Sequence, residues 1–148
     1  MYPPRTILHP TDYSDCARHA FDLAVRIARL HGAGLIVLHV VDSLGPEGIS
    51  FGEAASQLQP HGHRRQLLDE LHRVVAPPGA DIHLKHVLAE GEPAAAIVET
   101  ARKEHCDLIV MGTHGRGALS RFLTGSVTHR VTSNAPCPVL TVRNGVPA

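Results

Sequence analysis

DLIVMGTHGRGALSRFLTGSVT, residues Asp107 to Thr128, begins as a strand and ends as a helix. Leu108-Ile109-Val110-Met111 is a short apolar run of the kind buried in a sheet. It breaks at Gly112, and a loop follows with further glycines at Gly115, Gly117 and Gly125. Ser126 then opens a helix-like run. Glycine lacks a Cβ, so its backbone N–H can approach a ligand closely. The first N–H groups of a helix have no partner within it, and the aligned peptide dipoles add partial positive charge there. Ser126 can cap the helix or donate its hydroxyl to a phosphate oxygen. The stretch therefore has the ingredients of an anion site. It is not a Walker loop, because no Gly-Lys-Ser/Thr occurs, and it is not a dinucleotide fingerprint, because Gly115-x-Gly117 is followed by Ser120 where the third glycine belongs. On spacing alone, an anion site and a glycine-rich surface loop with an ordinary serine cap stand level.

Upstream, strand-like and helix-like segments alternate. Thr6-Ile7-Leu8-His9 reads as a short buried strand ended by Pro10, with Thr11-Asp12 in the turn. Ser14 and Asp15 open a helix whose apolar residues Ala17, Ala20, Phe21, Ala24, Ile27 and Ala28 recur at helical spacing, and Gly32 and Gly34 stop it. Leu35 to Val41 is a continuous apolar run, expected of a parallel strand covered on both faces. Asp42 to about Pro60 dissolves into Gly, Ser, Pro and Glu. A helix resumes near Gly62 and runs to about Val75, with Leu67, Leu68, Leu71, Val74 and Val75 inward. Asp81 to Ala89 alternates as a more exposed strand. Glu92 and Pro93 start another helix, with Ala96, Ile97, Thr100 and Ala101 on its inner side. Cys106 to Met111 gives the fourth strand, Val127 to Ser133 the last helix with Val127 and Val131 inward, and Val139 to Val142 the final strand. This β-α-β-α-β-α-β-α-β order implies an α/β domain with a mainly parallel five-stranded sheet. The 148 residues read as one domain with one core.

The bulk properties narrow the function classes. Hydrophobic residues make up 43% of the chain, normal for a globular protein, but aromatics only 3%, so Val, Leu, Ile and Ala must build the core. Formal net charge is zero, which argues against a nucleic-acid surface. The 12 histidines would make the protein cationic in acid. Cys16, Cys106 and Cys137 are odd in number and form no CxxC pair, so a reducing cytosol is the expected compartment. The N-terminal residues lack the apolar core of a signal peptide, and the longest apolar run is too short to span a bilayer.

Gly112-x2-Gly115-x9-Gly125-Ser126 resembles the nucleotide-binding signature of the universal stress protein family, in its ATP-binding branch. The likeness extends along the chain through Ile7-Leu8-His9-Pro10-Thr11-Asp12, Leu38-His39-Val40-Val41-Asp42, Gly91-Glu92-Pro93 and Ala135-Pro136-Cys137-Pro138-Val139-Leu140-Thr141-Val142. It implies a three-layer, Rossmann-like sandwich of the adenine nucleotide alpha hydrolase type, with strand order 3-2-1-4-5. In that order strands 1 and 4 flank the switch point, and ligands bind beyond the strand carboxyl ends there. The loops at that crevice are Pro10–Asp12 and Gly112–Ser126.

The resemblance also implies roles. Asp12 would contact ribose or base, as a carboxylate accepting from two hydroxyls, or approach a metal on the phosphates. Its ordinary alternative is an Asx turn leading into the helix at Ser14. Pro10 and Thr11 would shape the adenine wall, with Tyr13 beside the base or in solvent. The Val40 backbone would hold the adenine. Met111, Gly112, Gly115, Arg116, Gly125, Ser126, Val127 and Thr128 complete the nucleotide-binding set, the glycines and Ser126 holding phosphates. The expected cofactor is ATP, alone or with Mg or Mn. Micromolar binding needs about 8 kcal/mol. Hydrogen bonds to charged phosphate oxygens contribute on the order of 1.5–3 kcal/mol each. Several such donors and a buried adenine reach the requirement without a lysine. Arg116 and Arg121 can add charge or remain solvated. No catalytic residue is assigned: hydrolysis needs a held metal, a positioned water and charge stabilisation, and Asp12 is the one carboxylate expected at the site. His114 reads as a solvated loop histidine. His61-x-His63 reads as a surface pair rather than a metal site. His9 and His39 read as hydrogen-bonded interior residues, and the cysteines as small packing residues.

The last strand falls at a sheet edge, and an apolar edge invites pairing. The family commonly dimerises there, which implies a homodimer through Val139 to Val142. Three functions follow in order of expectation. The first is a cytoplasmic ATP-binding stress-response sensor or regulator with at most slow hydrolysis. The second is a homodimeric interaction module of the same fold that binds no nucleotide. The third is an enzyme acting on an adenylate. Neither a nucleic-acid nor a membrane partner is expected.

Overall fold

The computed structural model describes residues 3–42, 60–113 and 126–143. Within them the chain forms β1 (Thr6–Pro10), α1 (Asp15–His31), β2 (Gly34–Val41), α2 (Pro60–His72), β3 (Leu84–Glu90), α3 (Pro93–Lys103), β4 (Leu108–Gly112), α4 (Ser126–Asn134) and β5 (Val139–Val142). The five strands make one parallel sheet in the order β3-β2-β1-β4-β5. This is the order the resemblance implies. Register runs Thr6↔Gly34 to Pro10↔Leu38 between β1 and β2, and Ile109↔Val139 to Gly112↔Val142 between β4 and β5.

Successive residues of a strand face opposite sides of the sheet, so the central strands feed two cores. Ile7, Leu35, Val37 and Val110 pack with Phe21, Ala24 and Ala28 of α1 and Leu71 of α2. Leu8, Ile36, Leu38, Ile109 and Met111 pack with Ala94, Ile97 and Ala101 of α3 and Val131 of α4. Helices on both faces explain why β2 is apolar almost throughout. With few aromatics available, α1 turns four alanines toward the sheet and lies close to it: Ala17, Ala20, Ala24 and Ala28 are all buried.

The local signals for α1 act where the sequence places them. The Ser14 side chain accepts from the Ala17 N–H, Asp15 sits in the first turn, and Arg29 and His31 sit in the last. Gly32 adopts φ 65, the left-handed cap conformation that glycine takes without a Cβ penalty. Gly34 does not stop the helix; it is already the first residue of β2, and its N–H donates to the Arg5 carbonyl.

Several boundaries differ from expectation. The second helix ends at His72, and Val75, expected inward, is 60% exposed. Turn bonds from Arg73 and Val74 N–H close the helix before the Pro77-Pro78 pair. β3 starts at Leu84 rather than Asp81, because Asp81 turns the chain with φ 49. β1 includes Pro10, while β4 begins at Leu108 and includes Gly112. Of the irregular stretch from Asp42 to Pro60, residues 43–59 lie outside the described residues.

Candidate functional site

β1 lies at the centre of the sheet. Its chain leaves through α1 toward β2, whereas β4 leaves through α4 toward β5 on the other side. The connections part between β1 and β4, which makes a crevice beyond their carboxyl ends.

At the β1 side, Thr11 continues the ladder past Pro10, its N–H donating to the Leu38 carbonyl at 2.8 Å. The Thr11 hydroxyl accepts from the Tyr13 N–H at 3.1 Å. Asp12 Oδ1 accepts from the Ser14 N–H at 3.0 Å. This is the Asx turn that was the ordinary alternative for Asp12, and it leads into the Ser14 cap of α1. One carboxylate oxygen thus shapes the loop, and the residue remains half-buried at the crevice. Tyr13 takes φ 66, uncommon for a residue with a side chain. Its ring lies 4.7 Å from that of His39, against the sheet rather than out in solvent.

Two histidines brace this end from below. His39 Nδ1–H donates to the Thr11 carbonyl at 2.8 Å, tying the end of β2 to the loop after β1. His9 Nδ1–H donates to the Val110 carbonyl at 3.0 Å, tying β1 to β4. Both are the buried, hydrogen-bonded residues the sequence predicts. Burial drives the His9 pKa down to about 4, and the Val110 bond, Asp12 and Asp22 raise it only in part. His9 is therefore a neutral strut at neutral pH. Val40, beside His39, packs partly on the core next to α3 and α4.

At the β4 side, Met111 is buried and Gly112 closes the strand. A Cβ on Gly112 would lie 2.9 Å from Cys16 Sγ and 3.1 Å from the Cys16 carbonyl carbon. At this position the missing side chain makes room for the first turn of α1. Cys16 Sγ–H in turn donates to the Val142 carbonyl at 3.0 Å, and the Thr113 N–H donates to the same oxygen at 2.9 Å. One helix turn thus holds the ends of β4 and β5 together.

Across the crevice stands α4. Ser126 is its first residue and is exposed, while Val127 and Thr128 are half-buried. The Thr128 hydroxyl lies 3.5 Å from the Gly112 carbonyl. The helix is anchored by Val131, fully buried, and by an ion pair to α3. Glu92 caps α3, its Oε1 accepting from Ala94 N–H at 3.1 Å and its Oε2 from Ala95 N–H at 2.8 Å. Arg130 meets the same carboxylate side by side: Nη1 to Oε1 at 2.6 Å and Nη2 to Oε2 at 3.0 Å.

The structure brings Pro10, Thr11, Asp12, Val40, Met111, Gly112, Ser126, Val127 and Thr128 to the carboxyl-terminal end of the sheet and the start of α4. Gly115, Arg116 and Gly125 lie outside the described residues, as do Gly117, His114 and Arg121. Sequence reasoning missed the Cys16–Gly112 contact and the Arg130 partner of Glu92. The acid and proline at the start of α3 signalled the cap, but nothing marks an arginine 38 residues away as its partner. Among the described residues, no group of three His, Cys, Asp or Glu gathers as a metal site, and no helix is long and apolar enough to cross a membrane.

Comparison with known proteins places this architecture. A universal stress protein of Methanocaldococcus jannaschii is 39% identical over 144 residues, covering 94% of this chain and 82% of that protein. Among solved structures, universal stress protein UspA from Lactobacillus plantarum superposes with a TM-score of 0.71 at 31% identity, covering 94% of this chain and 97% of the other. A universal stress protein solved in complex with cAMP superposes with a TM-score of 0.61 at 25% identity, covering 94% and 97%. The model of the universal stress protein family matches residues 3–143. With strand order, crevice and sequence in agreement from β1 to β5, this chain belongs to the universal stress protein family.

Proposed function

We propose that this chain is a cytoplasmic regulator that binds an adenine nucleotide, ATP foremost, in the crevice between the ends of β1 and β4. The observation that carries the proposal is the meeting of motif and position. The signature Gly112-x2-Gly115-x9-Gly125-Ser126 joins the end of β4 to the start of α4. That is where a parallel sheet of this order takes ligands. A family member of the same fold, 25% identical, is known in complex with cAMP. Gly115, Gly125 and the first turn of α4 would hold phosphates through backbone N–H groups. Asp12 and the Val40 backbone would hold the nucleoside. A Mg or Mn ion bound with ATP would ride on the phosphates, with approach by the Asp12 carboxylate the alternative to its nucleoside role. Catalysis forms no part of the proposal, and the whole chain acts as one domain.

Calorimetric titration of the nucleotide-stripped protein with ATP and AMP, with and without magnesium, tests this beside Gly115→Val. Expected is binding that prefers ATP and disappears in the variant, whose Cβ and methyls would block the backbone's approach to phosphate. If neither nucleotide binds the wild type, the second reading takes over: a homodimeric interaction module, favoured by the exposed Leu140 on the edge strand β5.

A further inference from the structure

We propose that Glu92 and Arg130 are positioning residues for the nucleotide phosphates, acting through α4 and not by touching the ligand. The inference rests on the nucleotide reading above and assigns it a support. α4 has only nine residues, and its first turn must present N–H groups at the crevice. Val131 is its one fully buried side chain, and Val127 packs partly buried on the same core. Apolar contacts thus hold one side of this short helix but give it no fixed direction about its axis. The ion pair adds a directional contact to α3 beside Val131, and together with the apolar side it defines where the first turn stands.

The partner is itself anchored. Each Glu92 oxygen accepts one backbone N–H of α3 and one Arg130 guanidinium N–H. The carboxylate is therefore held by α3 before it holds α4. Burial alone would raise the Glu92 pKa, but the bonds from Ala95, Ala94 and Arg130 outweigh it and keep the carboxyl below its ordinary value. The pair remains charged across the neutral range. A planar guanidinium meeting a carboxylate through two parallel bonds fixes direction as well as distance. α3 is fixed to the sheet by Ala94, Ile97 and Ala101, so the clasp refers the start of α4 back to the sheet carrying the crevice. Binding sites need such support within about 0.5 Å to hold ligand geometry.

The test uses three full-length variants. Arg130→Gln removes the clasp and leaves the α3 cap. Glu92→Asp keeps a carboxylate that can cap α3 but is too short to reach Arg130 in the same geometry. Glu92→Gln keeps length and loses charge. ATP and adenosine affinities are measured by calorimetry, and folding by thermal melting. Expected is a loss of ATP affinity of about tenfold, or 1.4 kcal/mol, in all three, with adenosine affinity within about twofold of wild type. Adenosine lacks phosphates and does not need the first turn of α4. Unchanged ATP affinity overturns the proposal. A parallel fall for adenosine overturns it too, by showing a general structural loss. Loss in Arg130→Gln alone overturns it by showing direct contact between Arg130 and phosphate. A wild type that binds adenosine and ATP equally refutes phosphate positioning while preserving the nucleoside site, and one that binds neither refutes both readings.

Discussion

His9 is enclosed in the middle of β1, with no exposed surface. Its Nδ1–H has a partner in the Val110 carbonyl, but Nε2 has no hydrogen-bond partner, and the ring packs 5.5 Å from that of Phe21. Protonation would place a second N–H and a full charge in an apolar layer. The folded pKa of about 4 therefore lies below the ordinary 6.5. Between these values the unfolded chain binds the proton and the folded chain does not. Stability from this group is fully present above pH 6.5 and is lost as pH falls toward 4. The size is on the order of 3 kcal/mol, for a pKa moved from 6.5 to about 4. Urea unfolding between pH 4 and 7 should show wild-type stability falling with acid more steeply than that of His9→Gln. Parallel profiles would show that His9 is not the group responsible.

At the scale of elements, the contact of α1 with the end of β4 sets the geometry of the crevice. Gly112→Ala should cost about 1–3 kcal/mol, the usual range for overpacking, because its Cβ would meet Cys16 Sγ at 2.9 Å and Cys16 backbone carbon at 3.1 Å. Cys16→Ala removes the sulfur but not the backbone clash, so the double variant should recover only part of the loss, measured by a double-mutant cycle in urea. Full additivity would mean that the two residues do not meet. This contact was hidden in the sequence, where Gly112 reads as part of a ligand loop and Cys16 as packing. What was legible is physical periodicity. α1 could be read from its buried alanines and Phe21 between Ser14 and Gly32, and the central strands from unbroken apolar runs. Strand order was not legible from alternation and came from the family resemblance. Boundaries failed where a pattern outlasts its cause: Val74 and Val75 continue the helical spacing after α2 has ended, and Asp81-Ile82-His83 alternates like a strand while Asp81 turns with φ 49. At the site, Asp12 could be named but its Asx turn could not be separated from a ligand role, because the same carboxylate chemistry serves both. The clasp between Glu92 and Arg130 was invisible, since it depends on two helices meeting across the fold.

The described sheet ends in an edge at β5. Among the described residues β5 pairs with β4 alone, and its four residues are half-buried or exposed, with Leu140 at 38%. In its ladder, the Pro138 carbonyl accepts from Ile109 N–H and the Val142 carbonyl from Thr113 N–H. Alternation of a parallel ladder then turns the backbone groups of Val139 and Thr141 away from β4. They form the row a second copy would meet, and an antiparallel approach about a two-fold axis pairs the row with itself. We expect the wild type to be a dimer by light scattering at micromolar concentration. Thr141→Pro deletes an outward N–H without touching a bond to β4, since proline is tolerated on the solvent side of an edge strand. The variant should therefore be monomeric while melting as a folded protein and retaining nucleotide affinity, because the crevice at β1 and β4 is built within one chain. A monomeric wild type would end the edge-pairing proposal, and a dimeric Thr141→Pro would move the interface to another face. Loss of nucleotide binding together with the dimer would show instead that the second copy completes the site, coupling occupancy to assembly.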